Sequence, residues 1–226
     1  MKYALILGGL GAGLIFVGLT WLPAGVLAVW LGMSFLVVAA GYAGMGPRVF
    51  GKQPDGSVRP LSAMVLFPYR LLTEGLWQLH RRVSREPAAQ EIVPGLWLGR
   101  RPVPQELPPS IGLLVDLAAE FPRACRSLSN CEYLALSCLD AAAPEGAAFR
   151  VAVRRIATHP GPVYVHCALG HGRSATVVAA VLIARGLVSD PVEAEERVRS
   201  VRVGIGLNAC QRSLLQQYCS ERADVG

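Results

Sequence analysis

The pattern of apolar and polar positions divides this chain near residue 47. Residues 3–47 carry no charged side chain at all, whereas from Arg48 onward apolar residues recur at helix or strand spacing between charges. A soluble core does not need an uncharged stretch of that length. A bilayer does, because its hydrocarbon takes about 20 residues of helix per crossing. Two spans fit, residues 3–22 and 25–45, with Pro23 and Gly25 in the turn of a helical hairpin. Tyr3 and Tyr42 then fall at one interface and Trp21 at the other, as aromatic belts do. The Gly9-x3-Gly13 spacing offers a place for close helix contact. The alternative, a cleaved signal peptide in the first span, has only Lys2 as a basic flank and no small-x-small cleavage site.

Residues 58–86 mix Leu61, Met64, Leu66, Phe67, Leu71, Leu72, Leu76 and Trp77 with arginines. That mixture predicts a helix lying on anionic headgroups or, alternatively, packed on the catalytic domain that follows. The charge is equally local. Of a net +6, residues 48–86 hold +4 and residues 87–226 only +1. The basic character is therefore a juxtamembrane collar, and no nucleic-acid partner is expected. Positive charge following the second span places the remainder on the cytoplasmic face.

Beyond the collar the pattern changes to alternating strands and helices. A short linker (87–90) leads into a strand over 92–99, then a proline-rich loop (100–110). Continuous apolar runs predict buried strands over 111–117 and 131–139, the second ending at Asp140 and a loop marked by Pro and Gly (141–146). A helix over 145–159 places Ala148, Val151, Ala152 and Ile156 on one face. Residues 163–166 form a central strand. The helix over 174–185 is apolar nearly all round, which implies burial. Ser189-Asp190-Pro191-x-Glu193 supplies a cap, a first-turn proline and a capping-box glutamate for a helix running to 201. A last helix covers 207–222. Such alternation implies an α/β domain with a mainly parallel sheet.

The candidate chemistry lies between the central strand and its helix, in His166-Cys167-Ala168-Leu169-Gly170-His171-Gly172-Arg173-Ser174. A strand entering a glycine-containing loop and then a helix turns the loop amides inward at the positive end of the helix dipole. That arrangement cradles a dianion. A cysteine at the rim of such a cradle loses its proton readily; comparable sites lie at about 3.5–7.5 against about 8.5 for a free thiol. Arg173 can grip two phosphate oxygens through its planar fork. Cys125, Cys131, Cys138, Cys210 and Cys219 show no CxxC spacing and read as small apolar residues, so neither a disulfide framework nor a metal site is expected.

His-Cys-x5-Arg-Ser resembles the signature of the protein tyrosine phosphatase superfamily, and the compact size is similar to its dual-specificity branch. The match covers about residues 91–218. The resemblance implies a three-layer phosphatase domain with no cofactor and no metal. Cys167 would be the nucleophile that forms a phosphocysteine, and Arg173 with the amides of residues 168–173 would bind the phosphoryl oxygens. Ser174 would be the hydroxyl that assists the departing sulfur. Asp140 matches the family's general acid, with Glu145 and Asp116 as competing carboxylates. His166 would shape the loop from beneath. Asn208 and Gln211 resemble a segment that flanks and fixes the loop. His171 departs from the lysine that phosphoinositide-directed members often carry, and Ala168 and Leu169 replace more polar residues. Asp190-Pro191 is similar to the acid motif of low-molecular-weight phosphatases, yet its position reads as a helix cap.

The expected organisation is a transmembrane hairpin (1–47), a basic segment (48–88) and a catalytic domain (89–226). The expected activity is cysteine-dependent phosphomonoester hydrolysis at a membrane, with the site facing the cytoplasm. A phospholipid monophosphate such as phosphatidylglycerophosphate, on which some relatives act, leads as substrate. The alternatives are membrane-associated phosphoproteins and a phosphate-binding module without turnover. A rhodanese-like domain also uses a loop cysteine, but the x5 spacing to Arg173 disfavours it.

Overall fold

The computed structural model describes residues 1–125 and 131–223 of the 226-residue chain. They form two compact units, one of residues 1–84 with 119–122, the other of residues 85–118 with those from 123 onward.

In the first unit, α1 (Lys2–Thr20) and α2 (Val26–Ala40) make an antiparallel pair joined by a turn at residues 21–25. A wide π turn (Gly41–Met45) and a 3₁₀ turn (Gly46–Phe50) prolong α2. Lys2–Thr20 and Val26–Phe50 are each long and apolar enough to cross a membrane. Leu5, Ile6, Leu10, Phe16 and Leu19 all point outward from α1. Tyr3 and Tyr42 meet with ring centroids 5.4 Å apart, so the two chain ends of the hairpin share one level.

The close helix contact falls on other glycines than the expected Gly9 and Gly13, whose Cα positions face open space. A Cβ on Gly11 would come within 2.8 Å of the Gly32 carbonyl oxygen, and one on Gly18 within 2.7 Å of that of Gly25. Gly11 and Gly18 of α1, seven residues apart on one face of a helix of 3.6 residues per turn, thus meet Gly32 of α2 and Gly25, the residue that caps its start. GxxxG spacing placed its glycines on the wrong side.

The amphipathic segment is two helices, α3 (Pro60–Val65) and α4 (Phe67–Val83), because Pro68 has no N–H to continue a ladder and fits instead in a first turn. Ser34 donates to the Val65 carbonyl at 2.7 Å, and Trp30 stacks on Phe67 at 5.7 Å, so this segment docks on α2. Trp77 is buried beside Phe121, while Leu71, Leu72, Leu76 and Leu79 remain exposed.

The second unit is built on a five-stranded sheet of β1 (Ala89–Val93), β2 (Leu96–Gly99), β3 (Leu113–Ala118), β4 (Glu132–Cys138) and β5 (Val163–His166). Their order is β1-β2-β5-β3-β4, with β1 antiparallel to β2 and every other pairing parallel. The single strand expected over 92–99 is a hairpin. Pro94 and Gly95 turn it, Gly95 at φ +76°, a conformation that favours glycine.

Side chains alternate across the sheet. Val163 and Val165 join Leu96, Leu98, Leu113 and Val115 under the helices, while Tyr164 joins Leu114 and Ile111 on the opposite face. The helical side holds α5 (Gly146–Ala157), α6 (Arg173–Ala184), α7 (Pro191–Val201) and α8 (Ala209–Ala223). Buried side chains from all four belong to one core. Of the three layers expected, this unit shows two among its described residues, because its helices share one face. α6 is buried on every side from Arg173 to Ile183, as its unbroken apolar sequence requires.

On α5 the buried stripe is Phe149, Ala152, Val153 and Ile156, an i, i+3, i+4, i+7 set. Ala148 and Val151, expected inward, lie outside. The bulk of Phe149 sets the rotation of the helix. The parallel strands β3, β4 and β5 end together, so the chain segments leaving them converge at their carboxyl edge.

Candidate active site

Cys167 follows the last residue of β5 and is 4 % exposed. Two donors converge on its sulfur: the Gly170 amide at 3.2 Å and the Ser174 hydroxyl at 3.3 Å. These bonds fix the sulfur against the loop and the first turn of α6. Gly170 makes the loop possible. It sits at φ +80°, and a Cβ there would lie 2.7 Å from the Arg100 amide nitrogen. The backbone of Arg101 in turn donates to the Ala168 carbonyl at 3.1 Å. The loop closes where Gly172 accepts from the Thr176 amide and α6 begins at Arg173.

Arg173 is 2 % exposed and spans the gap to the β4 edge. Its Nη1 donates to the Cys138 carbonyl at 3.0 Å, and its Nη2 lies 3.1 Å from Asp140 Oδ1. Asp140 itself stands 76 % exposed at the mouth. Its loop is held from α8. Asn208 Nδ2 donates to the Ala141 carbonyl at 2.8 Å, and Gln211 Nε2 to that of Ala142 at 3.1 Å. The two side chains also close on each other's backbone amides at 3.1 Å. Gln211 further abuts Gly172, so one glutamine touches both loops. The sequence expectation tied this pair to the cradle; the two carbonyls to which their side chains donate belong to the Asp140 loop.

The other two carboxylates are committed elsewhere. Glu145 caps α5, accepting from the amides of Ala147 and Ala148, and these bonds hold its carboxyl below the usual carboxylate range. Asp116 is buried on β3, where it accepts from the Tyr133 hydroxyl at 2.8 Å and the Ala118 amide at 2.9 Å. Its Oδ1 also lies 3.8 Å from Nε2 of the fully buried His166. His166 presents Nδ1 to the Cys167 carbonyl at 3.2 Å. Tyr164, on the far face, donates to the Arg100 carbonyl at 2.8 Å, and burial pushes its phenol upward.

Two residues escaped the sequence reading. Glu86 lies 2.7 Å from His171 Nε2, and Arg202 is fully buried against the Leu169 and Gly170 carbonyls. Neither belongs to a local motif. They reach the loop across 85 and 32 residues of chain respectively, and only the fold brings them there.

The arrangement brings to one edge of the sheet a cysteine sulfur with a loop amide and a hydroxyl on it, a buried guanidinium, and an exposed carboxylate beside that guanidinium. A family model described as PTP-SAK, Swiss Army Knife protein, DSP-PTPase phosphatase domain, matches residues 110–223. Among solved structures, Tk-PTP in the active form is 28% identical with a TM-score of 0.53, over 59% of this chain and 97% of that one. PTPMT1 is 26% identical with a TM-score of 0.51, over 61% and 99%. PTPMT1 in complex with PI(5)P aligns at 24% identity and a TM-score of 0.53, over 62% and 99%, and at that identity speaks to the fold. No curated protein matches the chain. Matched over half its length by that model, the chain belongs to the Swiss Army Knife family of DSP-PTPase phosphatase domains, and its catalytic domain is a phosphoric monoester hydrolase.

Proposed function

We propose that this protein is a membrane-anchored cysteine phosphatase whose substrate is a phospholipid monophosphate, with phosphatidylglycerophosphate as the representative headgroup. The observation that carries the chemistry is the pair of donors, Gly170 N–H and Ser174 Oγ, on the Cys167 sulfur. Sulfur attacks phosphorus as the P–O bond to the alcohol breaks, and Asp140 gives its proton to the leaving oxygen. Arg173 and the amides of residues 168–173 hold the non-bridging oxygens through the transfer. Asp140, now a carboxylate, takes a proton from the water that attacks phosphocysteine. The S–P bond breaks, Ser174 stabilises the departing sulfur, and inorganic phosphate leaves.

The lipid assignment is supported by the two apolar helices and the basic collar carried on the same chain. Residues 1–47 serve as anchor, 48–88 as collar and 89–226 as catalytic domain. Arginines after the second span orient the site to the cytoplasm. Tethering raises the effective concentration of a headgroup over that of a soluble ester. The complex of PTPMT1 with PI(5)P supports a phosphate on a lipid within this fold.

The test is phosphate release by the full-length protein in mixed micelles, with Cys167→Ser as control, on phosphatidylglycerophosphate, phosphatidic acid, phosphoinositides and phosphopeptides. A phospholipid monophosphate should lead in kcat/KM. Preference for phosphopeptides would replace the lipid reading, and turnover by Cys167→Ser would remove the nucleophile.

A further inference from the structure

A trans peptide is planar, so the C=O of one residue and the N–H of the next point in opposite directions. Whatever grips a loop carbonyl from behind therefore aims the following amide forward. Arg202 does this twice in succession. Its Nε donates to the Gly170 carbonyl at 3.0 Å and its Nη2 to the Leu169 carbonyl at 3.2 Å. The amides thereby turned away from Arg202 are those of His171 and Gly170. The second of these is the one that donates to the Cys167 sulfur.

We propose that Arg202 is a positioning residue for phosphoryl transfer, aiming the Gly170 amide at the Cys167 sulfur and the His171 amide at the bound phosphate, and that Glu86 locks it in place. The proposal rests on the reading of the Cys167 loop as the phosphoryl site.

The remaining bonds of Arg202 show how it is locked. Nη1 donates to the Pro87 carbonyl at 3.0 Å and to Gln90 Oε1 at 3.1 Å, and Gln90 is itself fixed on the Val201 carbonyl at 2.7 Å. Glu86 Oε1 lies 3.2 Å from Arg202 Nη2. Glu86 Oε2 reaches His171, the loop residue whose amide is being aimed. One carboxylate thus ties the brace and the braced loop together. Burial pulls the Arg202 guanidinium below its ordinary value, and Glu86 is the first of the groups that oppose that pull. A buried arginine is a costly way to fill space, since apolar residues of similar volume commonly serve stability as well or better. Its planar fork, bonding two consecutive carbonyls, suits a task of alignment.

The experiment is calorimetric titration of tungstate, a phosphate-like dianion, into the full-length protein in detergent micelles. The variants are Arg202→Met, Arg202→Lys and Glu86→Gln, with kcat/KM on nitrophenyl phosphate measured alongside. Stoichiometry counts folded sites and the dissociation constant reports their aim, so the two effects separate. Arg202→Met should weaken tungstate and lower kcat/KM by about 10–100-fold per folded site. Arg202→Lys should recover part of the loss, and Glu86→Gln should weaken binding by about 3–10-fold. Should Arg202→Met fail to fold, the other two variants decide. Folded Arg202→Lys and Glu86→Gln with wild-type tungstate affinity would overturn the proposal. A wild type that binds no tungstate would instead strike the phosphoryl-site reading beneath it.

Discussion

The carboxylate of Asp140 lies 3.1 Å from the guanidinium of Arg173. Asp140 is 76 % exposed and Arg173 only 2 %, so the acid rests on the edge of the clamp from the solvent side. In the proposed mechanism a phosphate dianion competes for the same guanidinium and frees the carboxyl for the leaving-group oxygen.

On the proposed mechanism, replacing Asp140 with Asn removes both the proton donor and the carboxylate that shares Arg173. Turnover of alkyl phosphates should fall about 10²–10⁴-fold, whereas nitrophenyl phosphate, whose leaving group barely needs a proton, should be nearly unaffected. Tungstate should bind at least as tightly as to wild type. Equal losses on the two esters would take Asp140 out of the acid role.

Asp116→Asn supplies the contrast. Its carboxylate is buried and already accepts from Tyr133 and Ala118, so the dependence of rate on leaving-group pKa should stay that of wild type. A steepened dependence, measured over a series of aryl phosphates, would make Asp116 the acid.

Ser174→Ala removes one of the two donors on the Cys167 sulfur. Loss of a hydrogen bond to a charged atom is worth about 1.5–3 kcal/mol, so breakdown of phosphocysteine should slow by about 10–100-fold. Rapid-mixing assays with nitrophenyl phosphate should then show a burst followed by a slow steady state. A uniform slowing without a burst would leave Ser174 as a helix residue only.

Glu195 gives the pH prediction. Arg212 holds it by two bonds of 2.8 and 2.9 Å, and these bonds keep its carboxyl below the usual range against the opposing effect of burial. A depressed carboxyl stabilises the fold above its unfolded pKa of about 4.3, and that stability is lost as pH falls through the lower folded value. Arg199 and Arg212 are half exposed, so the contribution is screened to about 1 kcal/mol or less. In denaturant titrations of the micellar protein, Glu195→Gln should be less stable than wild type at pH 7 and nearly equal to it at pH 3. A gap that persists at low pH would show that charge is not its origin.

What could be read in the sequence was what is local to it. Residues 163–174 spell strand, loop and helix without interruption, and the structure brings Cys167, Arg173 and Ser174 together there. Asp140 was legible because a strand delivers it to the same edge. The β1–β2 hairpin was hidden because its apolar residues run straight through Pro94-Gly95, and only the φ of Gly95 marks the reversal. The rotation of α5 depended on how far Phe149 outweighs Val151, a matter of packing rather than period. Glu86 and Arg202 could not be found along the chain, since their function is a contact between distant segments. In the hairpin, spacing marked Gly9 and Gly13, whereas the neighbouring helix selects Gly11 and Gly18.

The bonds from Asn208 and Gln211 to the carbonyls of Ala141 and Ala142 fasten the loop after β4 to the start of α8. Because Gln211 also abuts Gly172, a disturbance at that helix start reaches the loops of both Asp140 and Cys167 at once.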